Sequence, residues 1–254
     1  MGFSAEWLAL REPADHAARD AGLLMAAAQA AGDSAVIVDL GCGTGSTRWA
    51  FGELLAHAYW RMVDGDADLL VRAGGAGYCL DLNEVEALPL EGATLVTASA
   101  LIDLVSAEWL DRLMERLAGL RLPFYAALSY DGVMGWTPAL AEDSGVTSAF
   151  NRHQRGDKGF GPALGPAAVD HAAHRLRATG YDVHEAQSPW VLGPDQADLQ
   201  RALLPGIAGA AAEMGADGAD GWCKARLEAV QAGTCRIGHR DLLALPALNV
   251  AKGG

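Results

Sequence analysis

The sequence predicts an α/β protein with a doubly wound, mostly parallel sheet. Short strands rich in β-branched residues alternate with helical segments, a pattern typical of parallel strands joined by right-handed crossovers. A glycine cluster follows the first predicted strand, where such sheets bind ligands. The 254 residues are 51% hydrophobic and 20% charged, a composition that supports one sizeable core. We therefore expect a single domain over residues 1–254, with a ligand site at the carboxyl ends of the strands.

Local patterns predict each element in turn. Two helices rich in alanine and leucine precede the first strand, with Pro13 where the second can start, and they form an N-terminal helical cap over residues 1–34. Apolar and β-branched runs predict seven strands, at 35–40, 59–63, 77–81, 93–98, 123–129, 181–186 and 234–245. Helical patterns predict the connections at 47–57, 67–73, 107–119, 167–179, 195–214 and 222–231. Pro205 is expected to interrupt the fifth of these helices.

Residues 131–165 have no clear periodicity and are rich in glycine, proline and polar residues. A segment of this length without secondary structure is unusual in a compact domain unless it has a function. We expect it to be a lid that completes the substrate pocket.

The charge balance bears on the choice of partner. With 19 basic and 32 acidic residues the formal net charge is −13, which repels a phosphate backbone, so we expect no nucleic acid partner. No apolar run reaches the roughly 18 residues of a membrane span, and the first residues lack a signal-peptide pattern. The four cysteines are far apart with no Cys-x-x-Cys pair. We therefore expect reduced thiols, a cytoplasmic location and no membrane association.

The most informative motif is the turn after the first strand, where Asp39 is followed by Gly41, Gly43 and Gly45. Alternate glycines allow a sharp turn and bring bare backbone close to a ligand, while the N-terminus of the next helix favours a negative group. The turn therefore predicts a cofactor site. It departs from the dinucleotide fingerprint G-x-G-x-x-G because Ser46 stands at the third glycine's place, which weakens the case for NAD.

Asp64 ends the second predicted strand. Its two carboxylate oxygens can accept hydrogen bonds from both hydroxyls of a ribose. This feature suits NAD and other nucleoside cofactors equally. Asp66 is better explained as the N-cap of the following helix.

With these residues the sequence resembles the class I S-adenosylmethionine-dependent methyltransferases. The resemblance implies that Asp39 and the three glycines hold the methionine part of S-adenosylmethionine and that Asp64 binds its ribose. It also implies that Asp81 contacts the adenine amino group and that the backbone of Leu82 reads the ring edge. Ser99 falls where the family lines the cofactor and opens toward the substrate.

The resemblance covers residues 35–129 by motif and extends to the C-terminus in the order of elements. It implies a Rossmann-like methyltransferase fold of seven strands, with the last strand antiparallel and inserted beside the fifth. It also implies methyl transfer to a small-molecule acceptor. In such a reaction the cofactor supplies the reactivity, and the protein chiefly aligns the reactants and excludes water.

Candidates for the acceptor side lie at and after the fifth strand. His153 is the best candidate for a general base because histidine titrates near neutrality. Tyr130 and Asp131 are chosen for their position at the strand end. A positive patch near His153 could receive an anionic acceptor, although ordinary solvated loop charges explain it equally well; its members are Arg152, Arg155 and Lys158.

Arg11, in the N-terminal helices, could pair with the carboxylate of the cofactor. We expect no metal site, because no set of metal-ligating side chains has the required spacing.

Two alternative functions stay open. An NAD-dependent oxidoreductase would use the same glycine turn and Asp64, and a nucleotide-binding subunit would keep the fold and the pocket without catalysis. The sequence gives no prediction of the oligomeric state.

Overall fold

A computed structural model describes residues 4–247 of the chain. These residues form one mixed sheet with helices on both faces. The strands are β1 (Val36–Leu40), β2 (Tyr59–Asp64), β3 (Ala76–Cys79), β4 (Leu95–Ser99), β5 (Phe124–Thr137), β6 (Tyr181–Gln187), β7 (Trp190–Leu192) and β8 (Thr234–Pro246).

The strand order is β3-β2-β1-β4-β5-β8-β6, with β7 paired to β8. Strands β1 to β5 pair in parallel, and β8 runs antiparallel to both β5 and β6. The prediction of a mostly parallel sheet is therefore confirmed, as is the antiparallel last strand beside the fifth. The structure adds an eighth strand, the three-residue β7, because β8 is long enough to pair with β6 and β7 in succession.

The helices are α1 (Ala5–Ala18), α2 (Ala21–Ala31), α3 (Ser46–Phe51), α4 (Ala67–Ala73), α5 (Ala107–Leu120), α6 (Asp143–Gln154), α7 (Ala168–Ala178), α8 (Ala197–Glu213) and α9 (Ala219–Ala229). Side-chain oxygens of Ser4, Asp20, Asp66 and Ser106 accept hydrogen bonds from backbone N–H groups in the first turns of α1, α2, α4 and α5. These contacts satisfy N–H groups that have no partner within the helix, and they fix where each helix begins.

A second core lies beyond the carboxyl edge of the sheet, between α6, α8, α9 and β7. We call these four elements the distal layer. At its centre the rings of Trp136 and Trp222 are 5.1 Å apart. The buried guanidinium of Arg226 is 2.5 Å from a carboxylate oxygen of Asp143. The distal layer closes the side of the molecule where the strands end.

The segment 131–165, predicted as an irregular lid, is largely strand and helix. The prediction that it lacks secondary structure was therefore wrong. Strand β5 continues to Thr137, because residues 134–137 pair with residues 234–237 of β8. Helix α6 then occupies much of the remainder. Pro205 lies within α8 and does not end it, contrary to expectation.

Candidate functional site

A cavity of about 640 Å³ opens at the carboxyl ends of β1, β2 and β4. Its floor is the turn between β1 and α3, and Asp64 and Asp81 line one side of it. Leu8, Arg11 and Asp15 of α1 close it from above. Lys158, Gly159 and Phe160, which follow α6, line it next to the loop after β3, where Asn83 Nδ2 donates to the carbonyl of Gly159 at 3.0 Å. The volume falls within the range of small-molecule and cofactor sites.

The glycine turn has backbone conformations that favour glycine. Gly41, Gly43 and Gly45 have φ values of 62°, 53° and 89°. Gly41 and Gly43 line the cavity, whereas Gly45 packs against the end of α4. A Cβ atom on Gly45 would lie 2.8 Å from the backbone oxygen of Ala73. The turn therefore presents bare backbone to the cavity and lets α3 and α4 approach closely.

Asp64 connects this turn to the next strand. Its Oδ2 atom accepts a hydrogen bond from the N–H of Gly43 at 2.8 Å, and its Oδ1 accepts one from the N–H of Asp66 at 3.0 Å. The side chain lines the cavity, and each carboxylate oxygen has a second lone pair for a ligand hydroxyl. Asp66 also lines the cavity, and it caps α4 as expected.

Asp39 lies behind the glycine turn and is fully buried. Its Oδ1 atom accepts a hydrogen bond from Thr97 Oγ1 at 2.7 Å, and Oδ2 has no hydrogen-bond partner among residues 4–247. Burial raises the pKa of Asp39 to about 7, although Thr97 and the positive charge of Arg19 act in the opposite direction. Asp39 is outside the lining of the cavity, so its position allows it to support the turn from behind.

The raised pKa of Asp39 predicts a pH dependence of stability. A free aspartic acid has a pKa near 4, so between about pH 4 and pH 7 the folded state binds more protons at this site than the unfolded state. The stabilisation by protonated Asp39 is complete below this range and is lost as pH rises through it. Relative to Asp39→Asn, the wild-type free energy of unfolding should fall between pH 4.5 and pH 8, as measured by urea denaturation. A constant difference between the two proteins would contradict the raised pKa.

The side of the cavity near β3 and β4 carries the other predicted cofactor residues. Asp81, Leu82 and Ser99 all line it. Asp81 Oδ1 accepts hydrogen bonds from the backbone and side-chain nitrogens of Asn83, at 2.9 and 3.1 Å. Leu82 offers its carbonyl to Trp109 Nε1 at 2.7 Å. Both contacts order the loop after β3. They therefore hold Asp81 and Leu82 in place at the wall of the cavity.

Arg11 also lines the cavity, but its guanidinium is already engaged. It donates to both oxygens of Asp15 at 2.9 and 3.1 Å, and it lies 5.0 Å from the ring centre of Trp190. Asp15 additionally accepts a hydrogen bond from Trp190 Nε1 at 3.0 Å. A guanidinium has five N–H groups, so three remain for a cofactor carboxylate.

The three candidate catalytic residues are outside the lining of the cavity. His153, on α6, contacts Glu213 Oε2 at 3.1 Å and Lys158 Nζ at 3.2 Å. The hydroxyl of Tyr130 donates to Asn151 Oδ1 at 2.7 Å. Asp131 accepts a hydrogen bond from the N–H of Val133 and lies beside Gly238 of β8. The structure thus brings seven of the predicted residues to the cavity, with Asp39 and Gly45 behind them in the turn, and leaves these three apart; the seven are Gly41, Gly43, Asp64, Asp81, Leu82, Ser99 and Arg11.

Several residues at the cavity escaped the sequence reasoning. Asp15 is four residues after Arg11, a helical spacing that pairs opposite charges and could have indicated it. Phe160 lies at the cavity and packs against Trp109, with ring centres 5.8 Å apart. Asp103, in the loop after β4, is buried beside the cavity residues Leu101 and Leu104. Its only signal is burial, which a single sequence does not reveal.

Within residues 4–247 no three His, Cys, Asp or Glu side chains come together as metal ligands. No helix in that same range is long and apolar enough to cross a membrane.

Comparison with solved structures places the fold among known proteins. The YcgJ protein from Bacillus subtilis matches with a TM-score of 0.52 and 11% identity, over 89% of this chain and 98% of that one. A cyclopropane-fatty-acyl-phospholipid synthase-like protein from Lactobacillus casei matches with a TM-score of 0.56 and 14% identity, over 96% and 95%. No protein-family model and no curated protein sequence matches the chain.

Identities this low show a shared fold. The structural matches and the position of antiparallel β8 between β5 and β6 agree with a Rossmann-like methyltransferase fold. The Rossmann-like architecture expected from the sequence is thereby confirmed.

Proposed function

We propose that the protein transfers the methyl group of S-adenosylmethionine to a small-molecule acceptor. The observation that carries the proposal is the strand order, in which antiparallel β8 lies between β5 and β6, in a sheet whose glycine turn after β1 and Asp64 line one cavity. The dinucleotide-binding fold has the order 3-2-1-4-5-6 without such an insertion. The topology therefore favours S-adenosylmethionine over NAD.

The residues present fit this cofactor. Gly41 and Gly43 present backbone without a side chain to the cavity, and the carboxylate of Asp64, held by the N–H groups of Gly43 and Asp66, is suited to a pair of ribose hydroxyls. Asp81 and the backbone of Leu82 would recognise adenine, and Ser99 lies between cofactor and acceptor. Asp39 and Gly45 would hold the turn, and the free N–H groups of Arg11 would receive the carboxylate. When bound, S-adenosylmethionine supplies an electrophilic methyl group.

A cation that could receive an anionic group of the acceptor lies at the cavity. Lys158 lines the cavity, and its Nζ atom lies 3.2 Å from Nδ1 of His153. His153 would then act by positioning Lys158, whereas Tyr130 and Asp131 would need to reach the acceptor through a change in the surrounding loops.

We also propose that the chain is a single functional domain. We propose a cytoplasmic location for it, which the free cysteines support.

Calorimetric titration of the purified protein with S-adenosylhomocysteine and, separately, with NAD tests the cofactor. We expect S-adenosylhomocysteine to bind and NAD not to bind. Binding of NAD alone would favour an oxidoreductase. Binding of S-adenosylhomocysteine without methyl transfer across an acceptor panel would favour a binding subunit.

A further inference from the structure

A group of buried polar side chains lies beyond the inner wall of the cavity, between α1 and the ends of β4, β5 and β8. Asp103 is 7% exposed, His239 6% and Tyr130 7%. The Oδ1 atom of Asp103 and the Nδ1 atom of His239 have no hydrogen-bond partner within the described residues. Ser188 Oγ, on a residue whose N–H donates to the carbonyl of His239, has none either. Buried polar atoms without partners are costly, so such a group indicates a place for a ligand or ordered water.

This buried group adjoins the cofactor cavity. Asp103 is itself outside the lining of the cavity, but its sequence neighbours Leu101 and Leu104 line it. Arg11 also lines the cavity, and its charge acts on both Asp103 and His239. Arg11 is therefore close both to the cofactor cavity and to the polar group around Asp103. An acceptor that approaches the cofactor from the ends of β4 and β5 would meet these side chains.

The neighbours of Asp103 are unsuited to accepting a proton. Both oxygens of Asp15 are occupied by Arg11, and one also by Trp190. Burial, reinforced by Arg11, lowers the pKa of His239 to about 3, so that it is a weak base. Burial raises the pKa of Tyr130, with Asp131 and Asp103 acting in the same direction, so that its hydroxyl stays protonated. Asp103 retains one oxygen that can only accept.

We propose that Asp103 forms an acceptor subsite for a nucleophile that carries an N–H or O–H group, and that its Oδ1 atom receives the proton of that group. This inference rests on the proposed methyl transfer. The lone pair of the nucleophile forms the bond to the methyl carbon, the electrons of the broken carbon–sulfur bond stay on sulfur, and the proton passes to the Asp103 carboxylate. Amines and hydroxyl compounds are therefore the acceptor classes to screen.

The electrostatics of Asp103 agree with this role. Burial raises its pKa to about 6, although its own backbone N–H, Arg11 and the backbone of Tyr130 oppose the rise. A carboxylate in this range is ionised near neutrality and is basic enough to take up a proton and release it again. Two other titratable groups are close to it: Arg11 from α1, whose charge acts on Asp103, and Tyr130 from β5, on which the charge of Asp103 acts.

Sinefungin tests the subsite without knowledge of the acceptor. It differs from S-adenosylhomocysteine by an amine-bearing carbon in place of sulfur, and it thus presents a cationic donor where the methyl group would be. We expect the wild-type protein to bind sinefungin about tenfold or more tightly than S-adenosylhomocysteine at pH 8, because a bond to an ionised group is strong. Asp103→Asn should abolish this preference and leave the affinity for S-adenosylhomocysteine unchanged. Asp182→Asn, at an exposed surface pair, is the matched control and should keep the preference.

The outcomes separate the two proposals. Failure of the wild type to bind either ligand would contradict the methyltransferase function and the subsite with it. Binding of both ligands with equal affinity, or a preference that survives in Asp103→Asn, would overturn the subsite alone. If Asp103→Asn does not fold, titrations of the wild-type protein at different pH values still test the subsite. Protonation of Asp103 should reduce the preference for sinefungin between pH 8 and pH 5. A preference that stays constant over this range would overturn the subsite.

Discussion

Replacing Asp64 with alanine is expected to weaken the binding of S-adenosylhomocysteine by about 100-fold or more. Hydrogen bonds to a charged group contribute about 1.5–3 kcal/mol each, and the carboxylate is expected to bond two ribose hydroxyls. The substitution also frees the N–H groups of Gly43 and Asp66, which Asp64 holds at 2.8 and 3.0 Å. Calorimetric titration measures the loss directly.

Asp66→Ala is the control for Asp64→Ala, since Asp66 lines the same cavity two residues away and caps α4. Loss of a cap costs about 1 kcal/mol of stability, so this variant should melt earlier while its affinity changes much less. If Asp64→Ala bound S-adenosylhomocysteine as tightly as the wild type, the ribose would lie elsewhere.

Gly45→Ala is expected to be the most destabilising small substitution in the glycine turn. Gly45 is in the left-handed region, with φ 89° and ψ 21°, and an added Cβ would lie 2.8 Å from the oxygen and 3.1 Å from the Cα of Ala73. Backbone strain and overpacking each cost about 1–3 kcal/mol. Thermal unfolding should show a lower Tm by about 5–15 °C.

Gly218→Ala separates strain from crowding. Gly218 precedes α9 with φ 81° and ψ 6°, nearly the conformation of Gly45, but nothing lies within 4 Å of an added Cβ. Its substitution should cost about 1–2 kcal/mol, the left-handed strain alone. Equal losses of Tm in the two variants would show that close packing against Ala73 is unimportant.

The parts of the fold that the sequence predicted are those determined by local pattern. The run 35–40 followed by alternate glycines defines a strand and a turn within ten residues, and the parallel sheet follows from the repetition of such units. The end of β5 was missed because residues 130–137 are rich in glycine and polar groups. They form a strand only by pairing with β8, about a hundred residues later.

The same distinction applies to the candidate site. Gly41, Gly43, Asp64 and Asp81 could be placed from the strand ends that precede them, and the structure brings them to one cavity. Asp103 has no pattern of its own, because what distinguishes it is burial next to Arg11 and the lack of a partner for one oxygen. Tertiary packing decides such features.

The position of α1 has a consequence for the order in which the molecule assembles. This helix roofs the cavity, yet Asp15 bonds to Trp190 across 175 residues, and the N–H of Asp20, just after α1, bonds to Asp241 across 221 residues. During synthesis the first helix leaves the ribosome long before these partners exist, whereas β1, β2 and β4 can associate early. We therefore expect the half of the molecule that holds the glycine turn and Asp64 to form first. The roof should close only after the last strand has been made.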